Sequence, residues 1–191
     1  MLSPNPRDLF DRYGIAHPDE LPRLALLREF FGTHSEQQWS NRSTQAGHLT
    51  ASGVVVDRAR SRVLLVHHNA LDRWLQPGGH IEPTDASLLD AAIREVVEET
   101  GLAASELKPI GRRTQDGQLL PVDIDSHAIP ARPSKGEGPH THHDFRFAFE
   151  YTGDQAFTLQ AEEVHDARWC PIDALPQPND IGDMIRKTRI L

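Results

Sequence analysis

The sequence predicts a mixed α/β (α+β) domain that follows a helical extension, and three observations carry this prediction. Segments 48–57 and 62–68 are rich in β-branched residues and flank a polar turn, which is typical of two adjacent strands. Beyond residue 84, apolar side chains recur at helical spacing. Segment 144–151 alternates aromatic side chains with polar or small ones, the pattern of a half-buried strand.

The central helix has recognisable start and stop signals. Thr84 or Asp85 can cap its N-terminus, and Gly101 stands where a C-terminal glycine ends a helix. The residues predicted to face the core are Leu89, Ala92, Ile93 and Val96. Before the helix, Gly78 and Gly79 predict a tight turn at which a ligand can approach the backbone.

Three carboxylates occupy one face of this helix. Glu95, Glu98 and Glu99 are spaced i, i+3 and i+4, so their like charges repel one another. A bound hard cation such as Mg²⁺ or Mn²⁺ would relieve that repulsion, and Arg94 could orient a carboxylate. A solvated acidic face is the alternative interpretation.

These residues resemble the Nudix box, a glycine and an acid followed by Arg-Glu-apolar-x-Glu-Glu-x-Gly-apolar. Residues 94–102 match the second half fully, and Gly79 followed after five residues by an acid matches the first. There are two departures, since the acid is Asp85 rather than Glu and eight residues rather than seven precede Arg94. A looser resemblance covers about residues 46–176. It implies a Nudix-type α/β/α sandwich with a mixed β-sheet.

The resemblance also implies a metal-dependent hydrolase. Its substrate would contain a nucleoside diphosphate linked to another moiety, as in a nucleoside triphosphate, ADP-ribose or a nucleotide sugar. The implied ligands of Mg²⁺ or Mn²⁺ are Glu95, Glu98, Glu99 and the Gly79 carbonyl. The implied catalytic residues are Glu98, Glu99, Arg94 and Glu163, with either Glu98 or a loop acid such as Glu163 as the base. A catalytically inactive nucleotide sensor is the alternative function, and an isomerase of allylic diphosphates would need an active-site cysteine.

Further polar residues are candidates for contact with the substrate. Gly78 and His80 lie in the glycine segment that would approach phosphates, and His140 and His142 end a long loop. Segment 119–129 alternates apolar or small residues with Asp123, Asp125 and His127. Together with residues 140–144, this polar side could bind substrate or a second metal ion, or could simply face solvent. Trp74, Phe145 and Phe147 are the candidates for stacking on a base.

Residues 1–46 read as a helical extension and residues 47–191 as the hydrolase domain. Segment 8–13 is a helix candidate, and a second helix is expected from Asp19 to a stop at Gly32. Packing on the main domain or on a second subunit is expected, which would suit a homodimer, and a substrate lid is the alternative role.

Composition restricts the partners. The net charge of −8 argues against nucleic acid, and no apolar run reaches the length of a membrane span. The single cysteine, Cys170, excludes an intrachain disulfide framework and favours a reducing cytoplasm, and its neighbours suggest a core position. The partner that the resemblance implies is a small nucleotide-type diphosphate.

Overall fold

A mixed β-sheet organises the chain in a computed structural model that describes residues 1–69, 72–132, 136–154, 157–159, 164–175, 181, 184 and 185. Its eight strands among these residues are β1 (His48–Val56), β2 (Arg62–His68), β3 (Arg73–Leu75), β4 (Gly78–His80), β5 (Leu107–Ile110), β6 (Asp123–Ile129), β7 (His140–Tyr151) and β8 (Val164–Pro171). The order β3-β2-β1-β7-β5 is extended by β4 beside β1, β6 beside β7 and β8 beside β2. The β1·β7 pairing is parallel and the others are antiparallel.

Strand β7 differs from its prediction. It begins at His140 rather than at Asp144, and its polar side is buried too, including Arg146 and Ala148. The reason is that both faces of the strand are covered. Phe145, Phe147 and Phe149 lie in the core on one face. On the other face Ala148 lies in a second core, and Arg146 is held by Asp144 and Asp123.

Strand β4 replaces the predicted tight turn. Gly78, Gly79 and His80 pair with Ser52, Ala51 and Thr50 of β1. Glycine is required here by close approach, since a Cβ on Gly78 would lie 2.2 Å from Ser52 Oγ.

The central helix is α4 (Leu88–Thr100), and its predicted N-terminal cap was wrong. Ser87 caps it, with the side-chain Oγ accepting a hydrogen bond from the Asp90 N–H at 3.0 Å. The predicted C-terminal glycine is confirmed, because Gly101 adopts a left-handed φ of 71°. The helix packs on β1 where Gly53 has no room for a side chain, since a Cβ would lie 2.3 Å from Val96 Cγ2.

The N-terminal segment is helical as expected. It forms α1 (Pro6–Ala16), α2 (Ala25–Thr33) and α3 (Glu36–Trp39), with a short 3₁₀ helix at Pro18–Glu20. Two further 3₁₀ helices lie later in the chain, at Ala104–Glu106 and Ile172–Ala174. The second helix starts later than predicted and continues through Gly32, where a side chain would meet nothing within 4 Å. Gly32 therefore lies within this helix and does not end it.

The helical segment packs against the sheet. The Phe30 ring lies 4.8 Å from the His143 ring of β7, and Arg23 donates hydrogen bonds to Asp123 and to the Ile124 carbonyl of β6. Its apolar residues share one core with the α4 side of β1, on which Leu49, Ala51 and Val55 lie. The helices therefore cover the same sheet face as α4.

A second core lies on the other face, against Val54 and Val56 of β1. Cys170 belongs to it, as predicted, and so do Ile181, Met184 and Ile185 of the C-terminal segment. Layers on both sides of a mixed sheet confirm the predicted α/β/α class. Within the described ranges, no helix combines the length and apolar character needed to cross a membrane.

Candidate active site

A pocket of about 1320 Å³ lies beside the sheet, and β4 forms part of its wall. Its wall includes Glu95, Glu98 and Glu99 of α4 at one side and His80, His140 and His142 at another. The structure thus brings the predicted metal ligands and the predicted substrate contacts into a single cavity.

The carboxylate face of α4, meaning Glu95, Glu98 and Glu99, is not a solvated surface. Glu95 and Glu99 are only 6% and 2% exposed, whereas the Glu98 side chain is 45% exposed. Two ionisable groups of one sign are held out of water at a pocket wall. Such groups are almost never buried without compensation, so the face needs cationic partners.

Arg94 is the cation that the structure supplies. Its Nη1 donates to Glu95 Oε1 at 3.0 Å and to Glu98 Oε2 at 2.8 Å. Its Nε and Nη2 donate to the two oxygens of Asp85, each at 3.0 Å, and Nη2 also donates to the His80 carbonyl at 2.7 Å. One guanidinium therefore ties α4 to the preceding loop and to β4.

The charge state of Arg94 follows from these contacts. Burial disfavours the charged guanidinium, but the hydrogen bonds to Asp85 and the charge of Glu95 outweigh burial and raise its pKa. Arg94 is thus held as a cation by three carboxylates, and its planar guanidinium binds both oxygens of Asp85.

Asp85 explains how the chain tolerates its departures from the Nudix box. Although it is shorter than Glu and displaced by one residue, its carboxylate binds Arg94 through both oxygens and accepts the Glu82 N–H at 2.7 Å. The displaced acid therefore still anchors the arginine that orients the carboxylate face.

Gly79 lies directly against this face. A Cβ at Gly79 would be 2.8 Å from the carboxyl atoms of Glu95, so any larger residue would push the carboxylate away. The backbone of β4 and the α4 carboxylates consequently form one continuous polar surface.

The predicted polar side of β6 and β7 is a buried ion network rather than a solvent-facing surface. Asp144 accepts hydrogen bonds from Thr50, Ser52 and Arg146 at 2.8–3.0 Å. Arg146 also donates to Asp123 and Asp125, each at 3.1 Å.

Burial raises the pKa of Asp123, against the opposing charge of Arg146. The hydrogen bond from His127 instead lowers the pKa of Asp125 to about 2. Arg146 therefore holds three carboxylates together. The network lines the floor of the pocket.

The predicted substrate-contact histidines belong to a larger group. His80, His140 and His142 lie around His48, with ring centroids 5.0, 5.1 and 4.7 Å from the His48 ring. His127 follows beside His142, at 5.8 Å. We call these five residues the histidine cluster.

Three members of the histidine cluster have lowered pKa values. Burial lowers the pKa of His48 to about 4, of His80 to about 3 and of His142 to about 2. Neighbouring imidazoles and Arg42 add to the effect. Neutral imidazole keeps one ring nitrogen as an electron-pair donor.

The aromatic candidates separate into two kinds. Phe145 and Phe147 are buried core residues, which is the alternative to a base-stacking role, so their rings are not available to a base. Trp74 does line the pocket, and the Arg168 guanidinium lies 3.8 Å from its ring centroid. Glu163, the candidate loop base, lies outside the described residues.

Sequence reasoning missed one member of the histidine cluster and the contacts of one pocket residue. His48 begins a strand that reads as ordinary β sequence. Asp144, which lines the pocket, was grouped with the neighbouring histidines without its Thr50 and Ser52 partners. The parallel β1·β7 register that joins them has no local signal.

Comparison with known proteins agrees with the fold and the box. The NUDIX domain model matches residues 47–188, which is most of the chain, and the protein belongs to this family.

A probable DHNTP pyrophosphohydrolase of Lactococcus lactis subsp. cremoris (strain MG1363) is 34% identical over 123 residues. That alignment covers 61% of this chain and 66% of the relative, so the chain spans a little less than two thirds of it.

Solved structures share the fold. A NUDIX family hydrolase from Clostridium perfringens has a TM-score of 0.54 at 22% identity, covering 74% of this chain and 94% of its own. The E. coli dihydroneopterin triphosphate pyrophosphohydrolase has a TM-score of 0.52 at 18% identity, with the same coverage. At these identities the likeness concerns architecture alone.

Proposed function

We propose that this protein is a metal-dependent hydrolase that cleaves a diphosphate linkage in a nucleoside triphosphate or a related nucleotide. The observation that carries the proposal is the Arg94-held carboxylate face at the wall of a pocket large enough for a nucleotide. Family membership adds independent support. We further propose residues 47–191 as the hydrolase domain and residues 1–46 as its extension.

The donor set fits a hard divalent cation. Glu95, Glu98 and Glu99 offer carboxylate oxygens, and the close packing of Glu95 on Gly79 places a backbone carbonyl nearby. All-oxygen donors suit Mg²⁺ or Mn²⁺. When bound, such ions would neutralise the substrate phosphates and lower the barrier to attack by water.

The protein side chains have separate roles in the proposed reaction. Arg94 is a positioning residue, because its hydrogen bonds go to carboxylates and to the His80 carbonyl. Glu98, the exposed carboxylate, can accept a proton from an attacking water, and Glu163 is the second candidate base. Glu99 completes the catalytic set as a buried metal ligand.

The substrate would lie along β4. Gly78 and His80 face the pocket next to the carboxylates, and His140 and His142 line the wall beyond them. Trp74 offers an aromatic surface for a heterocyclic base. The name of the Lactococcus relative, a probable DHNTP pyrophosphohydrolase, supports a triphosphate that carries such a ring. ADP-ribose and nucleotide sugars are the competing substrate classes.

The test is product release from a panel that contains nucleoside triphosphates, dihydroneopterin triphosphate, ADP-ribose and nucleotide sugars. The protein should hydrolyse one class with Mg²⁺ or Mn²⁺ and lose that activity with a chelator. Glu99→Gln should lower turnover by about 100-fold or more, since a metal supplies several kcal/mol of charge stabilisation. Glu29→Gln, an exposed carboxylate on α2, is the matched control.

Two results would contradict the proposal. One is turnover by Glu99→Gln that equals wild type. The other is tight nucleotide binding without product across the whole panel, which would instead support a sensor.

A further inference from the structure

Four neighbouring strands bring the histidine cluster together. His48 of β1 is in register with His142 of the parallel strand β7, and His142 is in turn opposite His127 of β6. His80 enters from β4, which pairs with β1 at Thr50, two residues from His48 on the same face. The cluster is thus fixed by sheet register rather than by a flexible loop.

His48 is the decisive residue. It is only 1% exposed, and neither of its ring nitrogens has a hydrogen-bond partner among the residues that the structure describes. A buried polar group in this condition normally costs free energy, because it has lost water and gained nothing. Its neighbours are imidazoles, so a shared ligand would compensate it.

The nitrogen atoms are close enough to share one ion. His48, His80 and His142 each place one ring nitrogen within 4.8 Å of the other two. Tetrahedral Zn²⁺ with bonds of about 2.0–2.1 Å needs nitrogens roughly 3.4 Å apart, so small ring rotations are sufficient.

His140 adds a fourth candidate ligand with a defined tautomer. Its Nδ1 donates to the Gly138 carbonyl at 2.8 Å, which leaves Nε2 as the electron-pair donor of the neutral ring. That Nε2 lies 3.2 Å from Nε2 of His142. A backbone carbonyl behind the second ring nitrogen is the usual support of a metal-bound histidine.

We propose that His48, His80 and His142, with His140 beside them, bind a divalent transition metal such as Zn²⁺ at a site distinct from the carboxylate face. Imidazole donors select Zn²⁺ and its neighbours, whereas carboxylates select Mg²⁺ and Mn²⁺. His80 and His142 line the pocket, so the ion would lie in its wall, and Arg94 joins the two sites through the His80 carbonyl.

The experiment is a Zn²⁺ titration of the chelator-stripped full-length protein by calorimetry, with Mg²⁺ in excess to occupy the carboxylates. Wild type should bind one equivalent of Zn²⁺. His142→Gln should bind it more than about 100-fold more weakly, because even an outer partner of a metal site is worth about 10- to 100-fold. His165→Ala, an exposed histidine on β8, is the matched control and should bind like wild type.

Folding is controlled within the same series. His48→Ala removes a buried side chain and therefore opens the core. His80→Ala removes a partly exposed ligand, so it must show the same loss of Zn²⁺ affinity as His142→Gln at an unchanged melting temperature. Glu98→Gln should keep the Zn²⁺ site.

The proposal is overturned if wild type binds Zn²⁺ no better than His142→Gln, or if Zn²⁺ binding is lost in Glu98→Gln and kept in the histidine variants. Since the readout is binding, either result leaves the hydrolase proposal to its own test.

Discussion

The carboxylate face and the histidine cluster meet at the same pocket but differ in charge. Glu95 and Glu98 form ion pairs with a cation within the chain, Arg94. In the histidine cluster, burial instead lowers the pKa of His48, His80 and His142 well below that of ordinary histidine. One site therefore presents negative oxygen donors and the other neutral nitrogen donors, which prefer different ions.

Removal of Arg94 should have the largest effect on the carboxylate face. Arg94→Ala would leave Asp85, Glu95 and Glu98 without their shared cation at a site where the arginine is only 19% exposed. We expect a loss of about 3 kcal/mol in unfolding free energy, as for other broken buried pairs. Turnover should fall by about 100-fold, because misplaced catalytic groups cost that much.

Chemical denaturation and steady-state kinetics at several Mg²⁺ concentrations measure both effects. If Arg94 is a positioning residue, Arg94→Ala should need more Mg²⁺ to reach the half-maximal rate. Arg94→Lys should restore little of the lost turnover, since lysine lacks the planar guanidinium group. Arg12→Ala breaks an exposed pair with Asp116 and should change little. Equal stability losses in the two alanine variants would contradict the account.

Gly79 tests how closely the backbone supports the carboxylates. In Gly79→Ala the new Cβ would lie 2.8 Å from the Glu95 carboxyl, so the carboxylate must shift. We expect about a tenfold fall in turnover, a smaller effect than removal of Arg94 because the ligand moves but remains.

The kinetics of Gly32→Ala provide the comparison for Gly79, because a side chain there meets nothing within 4 Å. That variant should keep full activity and gain about 0.5–1 kcal/mol of helix stability. Unchanged turnover in Gly79→Ala would show that Glu95 does not need its present position.

The two sites also differ in how far the sequence could predict them. The carboxylate face is contiguous, so helical spacing alone placed Glu95, Glu98 and Glu99 together. The prediction erred locally, because Asp85 was expected as a possible helix cap but instead holds Arg94, while Ser87 caps the helix. Local competition between two acceptors close to a helix start leaves no decisive pattern.

The histidine cluster depends on long-range pairing. His140, His142 and His127 stood out in the sequence, but His48 did not, since it comes from a strand about 90 residues earlier that joins β7 in parallel. Long-range packing also explains why most of β7 is buried on both faces although its alternation predicted a half-buried strand. Register between distant strands is set by tertiary packing, which periodicity does not encode.

The most direct test of the central claim, that the α4 carboxylates form the site for the hard cation, is a Mn²⁺ titration followed by electron paramagnetic resonance. Wild type and Glu29→Gln should bind Mn²⁺, and Glu99→Gln should bind it at least about tenfold more weakly, because one anionic oxygen ligand is lost. His142→Gln should keep this Mn²⁺ site. Mn²⁺ binding that survives in Glu99→Gln and disappears in His142→Gln would contradict the account.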